Sequence, residues 1–200
     1  MARYKDAKCR LCRREGVKLY LKGTKCESEK CTLNKRSQAP GQHGTSRRRL
    51  SGYGEQLREK QKAKRIYGVL EKQFKKYVNK ALKAKGVTGE VLMQELETRL
   101  DNMVYRSGFA TSRPQARQLI RSGVFEVNDK KQTIPSAQLR LNDIIKPLSF
   151  DKVHLREGFI MPEWLEANVK EKQVKLVRLP SIEESAENIK VQLIIEYYSR

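Results

Sequence analysis

Residues 100–143 read LDNMVYRSGFATSRPQARQLIRSGVFEVNDKKQTIPSAQLRLND, and the signals run helix, glycine turn, second helix, tight hairpin. In the second helix Ser112 and Gln115 fit a capping box, Pro114 is tolerable in the first turn and Gly123 supplies a left-handed stop. Arg113, Arg117 and Arg121 recur every four residues, which lines three guanidinium groups along one side of that helix. Ala116, Leu119 and Ile120 fall on the adjacent side, so one side is expected to bury itself and the other to offer charge to a polyanion. After Gly123 the period becomes two. Val124–Val127 reads as a strand, Asn128-Asp129 as its turn, Lys131–Ile134 as the return and Ile144-Ile145 as a further strand. Upstream, Leu92, Leu96, Leu100 and Val104 predict one helix from about Thr88 to Ser107, packed on the second helix after the Gly108 turn. Two packed helices against a small antiparallel sheet make an α+β module.

Outside this stretch, charge dominates. The 200 residues hold 43 Lys and Arg against 23 Asp and Glu, a net of +20, and residues 1–85 alone hold 26 against 7. Such density repels itself in a compact state, and release of counterions from phosphate reverses that cost, so nucleic acid is the expected partner. An anionic membrane is the weaker alternative, because no helix pairs a bulky apolar face with interfacial Trp. The chain shows no apolar run long enough to span a bilayer, and MARYKDAK has no signal-peptide pattern, so the expected location is the cytoplasm, where thiols stay reduced. Paired carboxylates, a Ser-His-Asp set, a Walker loop and an open metal site are all missing, so neither an enzyme nor a small-molecule substrate is expected.

All four cysteines lie near the start, as Cys9-x2-Cys12 and Cys26-x4-Cys31. In a reducing compartment two thiol pairs separated by a loop favour metal over disulfide, and a closed four-thiolate site is structural. Zinc is the expected cofactor; an iron-sulfur cluster uses the same ligands, and four unligated thiols are the bland alternative. Residues 33–54 read as an extended basic arm or a disordered linker. Glu55–Tyr67 favours helix with only Leu57 and Ile66 as clear anchors, whereas Val69–Lys85 carries a proper stripe at Leu70, Phe74, Tyr77, Val78, Ala81 and Leu82, with lysines opposite. Tyr53, Tyr67 and Tyr77 either cover a core or stack on bases. Trp164 reads as a core plug and Val174–Leu179 as a strand, while the period of IKVQLIIEYYSR fits strand or helix.

The order L-D-x6-G-F-x2-S-R-x-x-A-R-x-L-I-x-x-G-x-x-x-V-N resembles the small RNA-binding domain named after ribosomal protein S-four, which also occurs in RNA-modifying enzymes. The flanks CRLCRREG, APGQHG, LREKQKAKRIYGVLEKQF, VTGE, ETRLDNMVYRSGFA and IIEYYS are similar to the bacterial small-subunit ribosomal protein S-four family, and the cysteines to its zinc-binding branch. A pseudouridine-synthase-like enzyme is the alternative, but about fifty residues after the module are too few for a catalytic domain. The resemblance implies a primary binder of small-subunit ribosomal RNA that starts assembly of the subunit body. It also implies contact with ribosomal protein S-five, an influence on decoding accuracy, and placement of Arg47–Arg49 near messenger RNA at its entry channel. One departure is Asn128-Asp129 in place of Asn-Gly, which predicts a weaker turn. The terminal run is then expected to be a helix capped near Asn188 and folded on the Val69 helix.

The expected fold is therefore α+β: a metal-stapled module and basic arm over 1–45, a helical domain over 46–95 completed by 175–200, an inserted RNA-binding domain over 96–160, and a connection over 161–174. The metal ligands are Cys9, Cys12, Cys26 and Cys31. RNA is assigned to Arg3, Arg13, Arg14, Lys22, Arg47, Arg48, Arg49, Arg58, Lys60, Lys62, Lys64, Arg65, Lys72, Lys76, Arg99, Arg113, Gln115, Arg117 and Arg121.

Overall fold

A computed structural model describes residues 4–45, 49–153, 156, 158–168, 171–185 and 189–199. Arg3, Arg47, Arg48 and the Asn188 cap lie outside the described residues. The chain divides into two compact units, one of residues 1–89 with 188–200 and one of residues 90–187.

In the first unit, three short helices, α1 (Cys9–Glu15), α2 (Thr24–Glu27) and α3 (Thr32–Lys35), surround a small core of Cys12, Leu19, Leu21, Cys26 and Cys31. Helix α4 (Gly52–Ile66) starts at Ser51, whose hydroxyl accepts from the Gly54 N–H and satisfies one of the helix's orphan donors. Its anchors are Ala63 and Ile66, with Tyr67 and Val69 just beyond, whereas the expected anchor Leu57 is only half-buried. Helix α5 (Glu71–Lys83) buries Phe74, Tyr77, Val78 and Ala81. The expected stripe residues Leu70 and Leu82 stand exposed at its two ends. The terminal run is helical, α9 (Val191–Tyr198), and enters at Lys190. It packs chiefly along α4 rather than the Val69 helix, with Val191 and Ile194 buried and Gln56 donating to Glu196 at 3.0 Å. An amphipathic helix of low apolar content such as α4 needs this cover to persist.

The second unit departs from the expected single helix at 88–107. It holds α6 (Thr88–Glu97) and α7 (Leu100–Arg106), broken at Thr98-Arg99. The break follows from tertiary hydrogen bonds: the N–H groups of Leu100 and Asp101 donate to Ala137 and Pro135 carbonyls at 2.9 and 3.0 Å, and Leu139 N–H donates to the Thr98 carbonyl. Each amide satisfied by the 135–139 segment is one that a continuous helix would have paired internally. Helix α8 (Arg113–Arg121) follows the Gly108 turn, where φ is +76° and an added Cβ would lie 2.9 Å from Phe159. Gly123, at φ +72°, lets Val124 N–H reach back to the Leu119 carbonyl and end the helix.

The strands are β1 (Phe125–Val127), β2 (Lys130–Lys131), β3 (Ile144–Pro147), β4 (Leu165–Asn168) and β5 (Gln173–Leu176), in the antiparallel order β2-β1-β3-β5-β4. The hairpin forms despite Asp129. Both turn residues take positive φ, and the Asn128 side chain donates to Asp143 and accepts from Ile144 N–H, which fixes the turn from outside. The sheet also corrects the domain boundary. β4 and β5 belong to it, with Ile144 opposite Lys175 and Ile145 opposite Val174, so 161–174 is not a connection and 175–187 does not join the helical unit. Trp164 is fully buried in the core with Phe125, Ile145, Val174 and Leu176.

Candidate nucleic-acid interface

The cysteine module places Cys9 and Cys12 one turn apart on α1, Cys26 in α2 and Cys31 just before α3. All four are free thiols, three of them buried. Burial pushes the Cys12 and Cys26 thiols up, and the other cysteines push the same way, while backbone N–H groups of Leu19 and Lys22 oppose. The Lys22 N–H donates to Cys26 Sγ at 3.3 Å. Among the described residues, however, no group of three or more His, Cys, Asp or Glu comes close enough to hold a metal ion.

On α4 the expected RNA-binding residues are tied to acids. Arg58 and Arg65 share Glu15, at 3.3 Å for Arg58; Lys60 and Lys64 share Glu71, at 3.0 and 2.8 Å; Lys62 meets Glu59 at 2.7 Å. Burial raises the Glu15 carboxyl and lowers the Arg65 guanidinium, while their mutual attraction opposes both shifts. The contact serves to set α1 against α4. Burial also acts to raise Glu71, but hydrogen bonds from Lys64, Lys60 and Tyr198 outweigh it and hold that carboxyl at about 2. In both shared sites two cations face one carboxylate, which leaves positive charge in excess.

Lys72 and Lys76 stand exposed on the outer side of α5, and Arg14, Lys22 and Arg49 are exposed as well. Arg13 donates from Nε to the Gln38 carbonyl at 2.9 Å, which ties the module to the start of the arm.

The three arginines of α8 do not share one open face. Arg113 and Arg117 are only 7% and 8% exposed, and Arg121 alone of the three is on an open face. Arg113 donates to Asn102 Oδ1 at 2.7 Å and lies 4.5 Å from the centre of the Tyr105 ring. Arg117 donates to Asp101 Oδ2 at 2.5 Å; Arg99, 2% exposed, donates to both oxygens of the same carboxylate at 3.1 and 2.8 Å. Asn102 in turn donates to Glu97, which also holds Arg106. The α7 side chains Asp101 and Asn102 are thus the acceptors that draw α8 inward. No local pattern marks Asp101 and Asn102 as these acceptors, because their partners on α8 lie 16 and 11 residues away. Gln115 accepts from the Thr111 N–H and hydroxyl, so the capping box closes on Thr111 while Ser112 accepts from Gln115 N–H.

Two family models match the chain: the ribosomal protein S4/S9 N-terminal domain over residues 3–97 and the S4 domain over residues 98–145. Among curated proteins, the small ribosomal subunit protein uS4 of Thermodesulfovibrio yellowstonii is 54% identical, that of Dictyoglomus thermophilum 52% and that of Clostridium tetani 51%, each with the whole of both chains covered.

Proposed function

The chain belongs to the uS4 family of small ribosomal subunit proteins, and from that premise we propose how its residues divide the work of holding ribosomal RNA. It is a structural constituent of the small subunit in the bacterial cytoplasm and binds ribosomal RNA. The observation that carries this is full-length similarity above half identity to a uS4 protein. No helix among the described residues is long and apolar enough to cross a membrane.

In this reading the first unit supplies most of the phosphate contact. Arg14, Lys22, Arg49, Lys72 and Lys76 are exposed there, and the cations doubled on Glu15 and Glu71 add to the field. Arg121 serves as the open cation of α8. By family resemblance the protein is an early binder that begins assembly of the subunit body, meets ribosomal protein S-five and bears on accuracy. The arm that includes Arg47–Arg49 lies near messenger RNA on the same basis. Cosedimentation tests the reading: the protein should remain with the small subunit through a high-salt wash, and a filter-binding series should favour a ribosomal RNA fragment over duplex DNA at every salt concentration. Equal affinity for both would refute it.

The cysteine module is proposed to hold one zinc ion through Cys9, Cys12, Cys26 and Cys31. The support is the donor set itself: two thiol pairs, Cys9-x2-Cys12 on α1 and Cys26-x4-Cys31 around α2 and α3, are the ligand chemistry of a closed structural site, and the Lys22 N–H that donates to Cys26 Sγ is a contact that steadies a metal-bound thiolate. When bound, zinc staples a core too small to persist by apolar burial alone. One zinc per chain by elemental analysis, with loss of α1–α3 protection on chelation, is the expected result; metal-free protein with unchanged hydrogen exchange over 9–35 would overturn it.

A further inference from the structure

We propose that Tyr53, held against Tyr197, is a stacking platform for an unpaired RNA base; this rests on the ribosomal RNA reading above and adds a base contact to it. Four rings form a row from the core of the first unit to its surface. Phe74, fully buried, lies 6.3 Å from Tyr198; Tyr198 meets Tyr197 edge-on at 5.2 Å; Tyr197 lies 5.5 Å from Tyr53 at a tilt of 35°. Tyr53, the outermost of these four rings, is 49% exposed.

A tyrosine on a surface helix ordinarily samples several rotamers, and a ligand must freeze them. Here the Tyr197 ring, 5.5 Å away, restrains Tyr53 first of all. The Tyr53 and Tyr197 hydroxyls lie 3.3 Å apart, and the Lys60 ammonium sits 4.4 Å from the centre of the Tyr197 ring. Tyr198 is fixed in turn by donating to Glu71 at 2.8 Å. An ordered π-face at the edge of the unit that carries the chain's positive charge matches how proteins grip single strands: cations track the backbone while aromatic rings take bases. The Lys60 ammonium beside Tyr197 is itself held by Glu71 at 3.0 Å, so what this spot offers a nucleic acid is chiefly the exposed Tyr53 ring, whose chemistry suits a planar base.

The test uses the full chain and two fluorescein-labelled single-stranded RNA twelve-mers, one normal and one with abasic sites at its central positions, over a salt series. Tyr53→Ala should weaken the normal strand about tenfold, leave the abasic strand within twofold and leave the salt slope unchanged, since a stack contributes base contact and no counterion release. Tyr53→Phe should restore binding, because the ring is kept and only the hydroxyl is lost. Tyr53→Ile, apolar but without a π-face, should behave like Ala and covers the case in which Ala loosens the α4–α9 contact. Equal loss on both strands, no loss on either, or no preference of the unaltered chain for the normal strand overturns the proposal. A Phe variant as weak as Ala would reassign Tyr53 to a hydroxyl tether between the helices. If the unaltered chain fails to bind a ribosomal RNA fragment at all, the RNA reading itself falls; binding of that fragment with no effect of Tyr53→Ala removes only the platform.

Discussion

The two units treat positive charge in opposite ways. Residues 1–89 with 188–200 hold 28 Lys and Arg against 8 Asp and Glu, so that unit carries the whole net charge of +20; residues 90–187 hold 15 against 15 and are neutral. The basic side chains of the first unit are shared two to an acid or left on open helix faces, as at Glu15, Glu71, Lys72 and Lys76. In the second unit Arg99, Arg113 and Arg117 are buried and answered by Asp101 and Asn102. An arginine count therefore does not locate an RNA surface. What matters is whether an acceptor lies within reach inside the fold, because a guanidinium drawn in and buried against such an acceptor is held away from the surface where a phosphate would meet it.

The contrast breaks most readily at Asp101. Replacing it with Ala leaves Arg99 and Arg117 buried without their carboxylate, and the second unit should lose about 3–5 kcal/mol in urea melts. Unchanged stability with weakened RNA binding would mean that these arginines serve the RNA after all. Ile120→Ala, at a fully buried position of α8, should cost roughly 2–5 kcal/mol; Leu119→Ala, at a partly buried neighbour, should cost less. Arg117→Ala should cost about 1–3 kcal/mol, since Arg99 still pairs with Asp101, and should shift RNA affinity less than the surface variants do.

In the first unit Lys72→Ala with Lys76→Ala should move binding and not folding. The slope of log affinity against log salt should shrink by about two if both touch phosphate, with melts within about 0.5 kcal/mol of the unaltered chain. An unchanged slope would take α5 out of the interface. The smallest effect concerns acid. Glu71 sits at about 2, below its unfolded value of about 4.3, so the fold gains from its ionised form above the unfolded value and loses that gain as pH falls towards 2. Glu71→Gln should flatten stability between about pH 5 and pH 2, by under about 1 kcal/mol because the side chain is nearly half exposed.

Local signals were legible where one element contained its own instructions. The Ser112 cap, the Gly123 stop and the apolar stripe of α5 each follow from side chains within a few residues of one another, whereas the Asn128-Asp129 turn is fixed by Asp143 and Ile144. Features that depend on distant partners were not. The break at Thr98-Arg99 is made by hydrogen bonds from residues 135–139; β4 and β5 are strands because β3 offers them an edge; α9 lies on α4 through Gln56, Lys60 and Glu59. The inward turn of Arg113 and Arg117 belongs to the same class, since a four-residue period says which residues share a face and not what that face meets.

By itself, then, the sequence determined the family, the excess of positive charge, the cysteine spacing and the helix-turn-helix-hairpin order, all of which are matters of composition or short-range pattern. Only the tertiary structure decided which cations remain available. Whether an arginine is spent on an interior carboxylate or left for a phosphate depends on groups brought beside it by folding, and in this chain that choice separates a neutral unit braced by its arginines from a basic unit that displays them.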